Sequence, residues 1–147
     1  MAIEIFGFNE GYHSASNDHM IRKDLCAEAI RIGIILFEHP VTQSPKGTAL
    51  LSLMCLLASR FEARVDEHGE IILLEDQDRS KWDQELIKHG MSFLEKSATG
   101  TGLSSYHIEA AIISEHTLSP SFEKTNWSRI LELYNLLIKT TLPLSLS

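Results

Sequence analysis

The sequence predicts an all-α protein, built as a small bundle or as stacked antiparallel helical hairpins with about five main helices. Apolar residues recur at spacings of three and four through most of the chain, the repeat of a helix with one buried face. Asn, Asp, Ser, Gly and Pro interrupt that pattern at intervals suited to short connections, and short connections make antiparallel neighbours. One run, TALLSLMCLLASRF, is apolar on nearly every face and must be surrounded by other helices.

The first helix is expected to start at Asn17 or Asp18 and to carry the stripe Ile21, Leu25, Ala29, Ile32 and Leu36. It should stop near His39, because Pro40 disfavours helical geometry in the residue before it. Pro45 and Gly47 lead into the central helix. Asp66 to Gly69 reads as a turn, and EIILL after it as a short extended segment or a packed loop. The third helix is expected from Ser80, with Trp82, Leu86 and Phe93 on its stripe and Met91 and Leu94 widening it. Gly90 inside it costs about 1 kcal/mol against alanine, which marks close approach of a neighbour. ATGTG ends that helix. SSYHIEAAIISEH supplies a fourth helix in which Ala110 and Ala111 permit tight packing. A fifth begins near Thr125 or Asn126, has the stripe Trp127, Ile130, Leu131, Tyr134, Leu137 and Ile138, and closes at Pro143.

Composition narrows function. The 147 residues fit one domain with a real core, and 44% are hydrophobic. No apolar run reaches the eighteen or more residues of a membrane span, and MAIEIFGFNEGYH lacks the pattern of a secretory signal, so a cytoplasmic location without membrane partners is expected. Net charge is −7, with 13 scattered bases against 20 acids, which argues against direct nucleic-acid binding. Cys26 and Cys55 sit among aliphatic residues and read as two buried thiols rather than ligands or nucleophiles.

The most polar cluster is ILLEDQDRSKWD, residues 72–83. Asp76, Asp78 and Ser80 alternate as in a calcium loop, but Lys81 stands where glycine is needed and Ile87 where a bidentate glutamate is needed. The helix-start reading fits better: Ser80 with Asp83 makes an S-x-x-D capping box, and Asp76 and Asp78 lie by the positive end of the helix dipole. Trp82 would then close the core from the first turn while its N–H finds a polar partner. The seven histidines show no ligand spacing, and phosphate loops and nucleophile elbows are missing from the sequence. Neither enzymatic activity nor a cofactor or metal is expected.

Four collinear segments resemble the C-terminal extension of a group of bacterial extracytoplasmic-function sigma factors. They are FNEGYHSAS (8–16), MIRKDLCAEAIRI (20–32), the EAR…GE approach with LLEDQDRSKWD (62–83), and YHIEAAI followed by NW..I..LY. The resemblance implies a tetratricopeptide-like helical domain over residues 17–147, preceded by a junction segment at 1–16. It implies a non-catalytic regulator of transcription initiation that acts through contact with RNA polymerase or with sigma promoter-reading domains. Only seven residues precede Phe8, so the chain is expected to lack those promoter-reading domains and not to direct transcription alone. The motif residues Asn9, Glu10, Tyr12, Arg22, Asp24, Glu28, Asp76, Gln77, Asp78, Arg79 and Trp82 are the candidate contacts, against internal caps and ion pairs. The alternative function is small-molecule sensing, with Tyr12, Trp82, Tyr106, Trp127 and Tyr134 lining a cavity. A stacking face left uncovered at the C-terminal end is expected to favour a homodimer.

Overall fold

The computed structural model describes residues 15–100 and 102–142, with side chains from residue 18 onward. Five helices account for most of them: α1 (Ala15–Glu38), α2 (Pro45–Ala58), α3 (Gln84–Ser97), α4 (Ser105–Leu118) and α5 (Trp127–Thr141). Among the described residues no strand forms, and the one pairing of extended backbone is an isolated antiparallel bridge between Val65 and Ile71. The fold is all-α, as the spacing predicts.

Successive helices run antiparallel, and their end-to-end contacts show it. Lys23, early in α1, pairs with Glu62 just after α2, while Phe37 near the end of α1 shares a cavity wall with Pro45. The Asp83 N–H at the start of α3 donates to Ser59 O beyond the end of α2 (2.8 Å). His107 at the start of α4 reaches Ser97 O at the end of α3 (3.1 Å), and Trp127 opens α5 against His116 near the end of α4. Helix α2 lies in the middle, packed by α1, α3 and α4, while α5 packs on α4. Its surrounded position explains its sequence: Ala49, Leu51, Leu53, Cys55 and Leu56 are all buried.

Local chemistry places the ends. Ser44 Oγ accepts from Gly47 N, and Pro45 takes the first helical position, where its missing N–H costs nothing. Ser104 Oγ accepts from His107 N while His107 Nδ1 accepts from Ser104 N, a reciprocal cap with histidine in the place of glutamate. This leaves the His107 proton on Nε2, donated to Ser97 O. Asn126 caps α5 through Arg129 N. Asp66 Oδ1 accepts from His68 N and Glu70 N, and Gly69 takes a positive φ of 79°, which makes the expected turn.

Gly90 is where two backbones approach. A Cβ there would stand 2.7 Å from Leu56 Cγ, and Gly90 O accepts from Ser52 Oγ (2.6 Å). The sequence reading of this glycine holds.

Four expectations are corrected. The third helix starts at Gln84, not Ser80: Asp83 Oδ1 caps it through Glu85 N and Leu86 N. Ser80 instead belongs to a short 3-10 turn, Arg79–Lys81, where its N–H and hydroxyl both donate to Asp78 Oδ1. The Ser80–Asp83 capping box is therefore absent, and Trp82 precedes the helix rather than joining its first turn. The α1 stripe is rotated, with Ile30, Ile34 and Phe37 packed inward while Ala29, Ile32 and Leu36 face outward. On α5 the buried residues are Ile130 and Leu133, with Leu137 packed beside them, whereas Leu131, Tyr134 and Ile138 are exposed. Of the two thiols only Cys55 is buried; Cys26 is half-buried.

Candidate functional site

The segment between α2 and α3 is too irregular to pack by periodicity, and one side chain organises it. Trp82 is 4% exposed, and its Nε1–H donates to Gln77 Oε1 (3.1 Å). The Arg60 and Arg79 guanidinium groups lie 4.9 and 4.5 Å from its ring centroid, within cation–π range. Both arginines then reach the C-terminal half of α4. Arg79 Nη1 donates to His116 O (2.9 Å) and Ser119 O (3.0 Å), and Arg60 Nη2 to Ile113 O (3.3 Å) and Thr117 Oγ1 (3.1 Å). The carbonyls of His116 and Ser119 lie at the negative end of the helix dipole, so Arg79 acts as a cap supplied from a distant segment, while Arg60 ties the same segment to the last turns of the helix.

Electrostatics records the crowding. Burial, with Arg79 and Arg64 nearby, pushes the Arg60 guanidinium down to about 10. Burial also lowers Arg79, partly offset by Glu123. His116 is lowered by burial first and then by Arg60 and Arg79. Its ring stacks on Phe122 (6.3 Å between centroids) and meets Trp127 edge-on (5.4 Å), tying the start of α5 to the same junction.

The candidate contact residues therefore separate. Asn9, Glu10 and Tyr12 lie outside the described residues. Gln77, Arg79 and Trp82 are engaged internally at the junction, and Asp78 holds the turn beneath it. Arg22, Asp24 and Asp76 are exposed, and Glu28 is an exposed partner of Arg31. Asp76 and Asp78 are not brought together with further ligands; among the described residues no group of three or more His, Cys, Asp or Glu could hold a metal ion. Also among them, no helix is long and apolar enough to cross a membrane. Among the described residues, the candidate aromatics do not gather round one cavity. Trp82 is packed in the junction, Tyr106 lies under Lys46, Trp127 meets Phe122, and Tyr134 borders a shallow groove of about 220 Å³ with Leu57 and Ile113. A hollow of about 860 Å³ lies between the end of α3 and the start of α4 and takes its walls from Met91, Glu95 and Leu103 rather than from those rings.

The sequence predicts an uncovered stacking face at the C-terminal end but does not name its residues, nor the second exposed row on α1. Helix α5 carries two apolar rows, one buried on α4 and one formed by Trp127, Leu131, Tyr134, Ile138 and Leu142, with Leu131 63% and Ile138 52% exposed. Helix α1 shows a second exposed row in Ile32, Ile35 and Leu36. The available signal was that both helices have more apolar residues than one face can hold.

Comparison with known proteins gives one family and one relative. The model of DUF6596, a family of unknown function, matches residues 4–98, which include α1, α2 and α3. An uncharacterized protein of Rhizobium meliloti (strain 1021) is 35% identical over 130 residues, covering 88% of this chain and 30% of that protein. The chain thus spans less than a third of its relative's length. No solved structure matches it.

Proposed function

The chain belongs to the DUF6596 family, and from that premise we propose that it is a non-catalytic helical interaction domain of a bacterial sigma factor. In this reading it regulates transcription initiation through contact with RNA polymerase or with sigma promoter-reading domains. The observation that carries the contact role is the exposed apolar row of α5, reinforced by the second row on α1. Rows of this kind on the outer helices of a stacked array are surfaces on which a further element docks. The resemblance of the four collinear motif segments supports that choice of partner, and the relative's greater length fits a domain attached to others.

Most motif side chains between residues 77 and 82 support this role indirectly, since they join the segment after α2 to α4 and so hold α5 in place. A pull-down at low salt against polymerase core and against separately produced promoter-reading domains tests the proposal. Capture by at least one is expected, with loss in a Leu131→Asp/Ile138→Asp variant of unchanged helicity. Failure to bind either target removes the proposal.

A further inference from the structure

Two segments far apart in sequence meet at a hollow of about 400 Å³ that the contact role does not use. One wall is the first half of α1, where Asp18, Arg22 and Cys26 recur every four residues and His19 lies beside them; the other includes Phe61 and Arg64. The spacing of four puts the α1 residues on one helix face. The His19 and Phe61 ring centroids are 5.5 Å apart, and Arg64 Cζ is 5.8 Å from the same Phe61 ring, so both donors flank one aromatic surface.

The arginines of the chain are six. Four are engaged among the described residues: Arg31 with Glu28, Arg129 with Glu132, and Arg60 and Arg79 with the end of α4. The other two, Arg22 and Arg64, have no hydrogen bond or ion pair from their side chains among the described residues, and both face this hollow. His19 Nε2 is buried without a hydrogen-bond partner there as well. Buried polar nitrogens such as His19 Nε2 ordinarily find acceptors, and guanidinium groups match the oxygens of carboxylate or phosphate. Asp18 on the same wall offsets part of that positive charge, which leaves the hollow suited to a singly acidic ligand rather than a highly charged one. The volume suits a small molecule.

We propose that this hollow binds a small organic oxyanion, its carboxylate or phosphate held by Arg22 and Arg64 with His19 as a third donor, and its apolar body against Phe61. The site stands independently of the protein-contact role, and its failure leaves that role untouched.

Cys26 in the wall reports occupancy, since Cys55 is buried and serves as an internal reference. The alkylation rate of Cys26 in the full chain is measured by peptide mass spectrometry during titration with benzoate or phenyl phosphate. Sodium chloride at matched ionic strength is the control. A saturable slowing, beyond that of the salt, is expected, with half-saturation weakened at least about tenfold in Arg22→Gln/Arg64→Gln. Protection by benzoate alone identifies a carboxylate ligand, and by phenyl phosphate alone a phosphate ester; protection by both supports the oxyanion site without choosing. If the double variant loses its helical spectrum, Arg22→Gln alone, whose side chain is exposed, is read in the same way. No slowing beyond the salt control with either probe, or unchanged half-saturation in the folded variant, overturns the proposal.

Discussion

Four single residues carry distinct costs. Gly90→Ala would gain about 1 kcal/mol in an open helix, but here the new Cβ meets the branched Cγ of a fully buried Leu56 at 2.7 Å. Overpacking of that kind costs about 1–3 kcal/mol, so urea denaturation is expected to show net destabilisation. Trp82→Ala removes the ring shared by Arg60 and Arg79 and opens the junction; a loss of about 3–5 kcal/mol is expected. Asp83 and Ser80 make the finest contrast. Asp83→Ala removes the acceptor of two N–H groups at the start of α3 and should cost about 1 kcal/mol. Ser80→Ala deletes only an exposed hydroxyl bond to Asp78 and should stay within about 0.5 kcal/mol. Equal losses from the two would restore the Ser80 capping box.

At the scale of elements, the end of α4 is one place where pH acts. His116 lies there among Phe122, Trp127 and two guanidinium groups, and its pKa is held below the ordinary 6.5. A depressed histidine binds its proton more weakly folded than unfolded, so the unfolded chain gains protons first as pH falls. Stability is therefore full above about 6.5 and declines as pH drops from there toward the folded pKa. Thermal unfolding at pH 7.5 and 5.5 is expected to show the decline, and His116→Phe, which keeps a ring against Phe122 and Trp127, should reduce it. An unchanged pH response in that variant would mean that other groups cause the decline.

For the whole molecule, the outer helices decide behaviour. The apolar rows of α1 and α5 lie on opposite sides of the α2–α4 core in chain order, and neither is covered among the described residues. Without its partner the chain is predicted to self-associate through the α5 row. Sedimentation should show a mass that rises with concentration and returns to the monomer in Leu131→Asp/Ile138→Asp; a mass independent of concentration would contradict this.

Much of this protein was legible without coordinates. The helical class, the central place of α2, the turn at Asp66–Gly69, the close approach at Gly90 and the ends set by Pro40 and Asn126 follow from local chemistry, because caps, breakers and an all-round apolar run act within a few residues. The inward faces of α1 and α5 did not follow. Ile30, Ile32, Ile34, Ile35 and Leu36 nearly encircle their helix, so periodicity has no preferred direction there, and the face that carries Ile30, Gly33, Ile34 and Phe37 is fixed by its contact with α2, where Gly33 sits close to Leu51. The start of α3 was misread because Ser80 and Asp83 both offer caps, and the Asp83–Ser59 bond to the end of α2 decides between them. Arg60 and Arg79 meet on Trp82 and reach α4 across more than thirty residues of chain, and Arg22 and Arg64 line one hollow from segments as far apart. Such meetings depend on which helices become neighbours, a property of the folded whole that no local spacing contains.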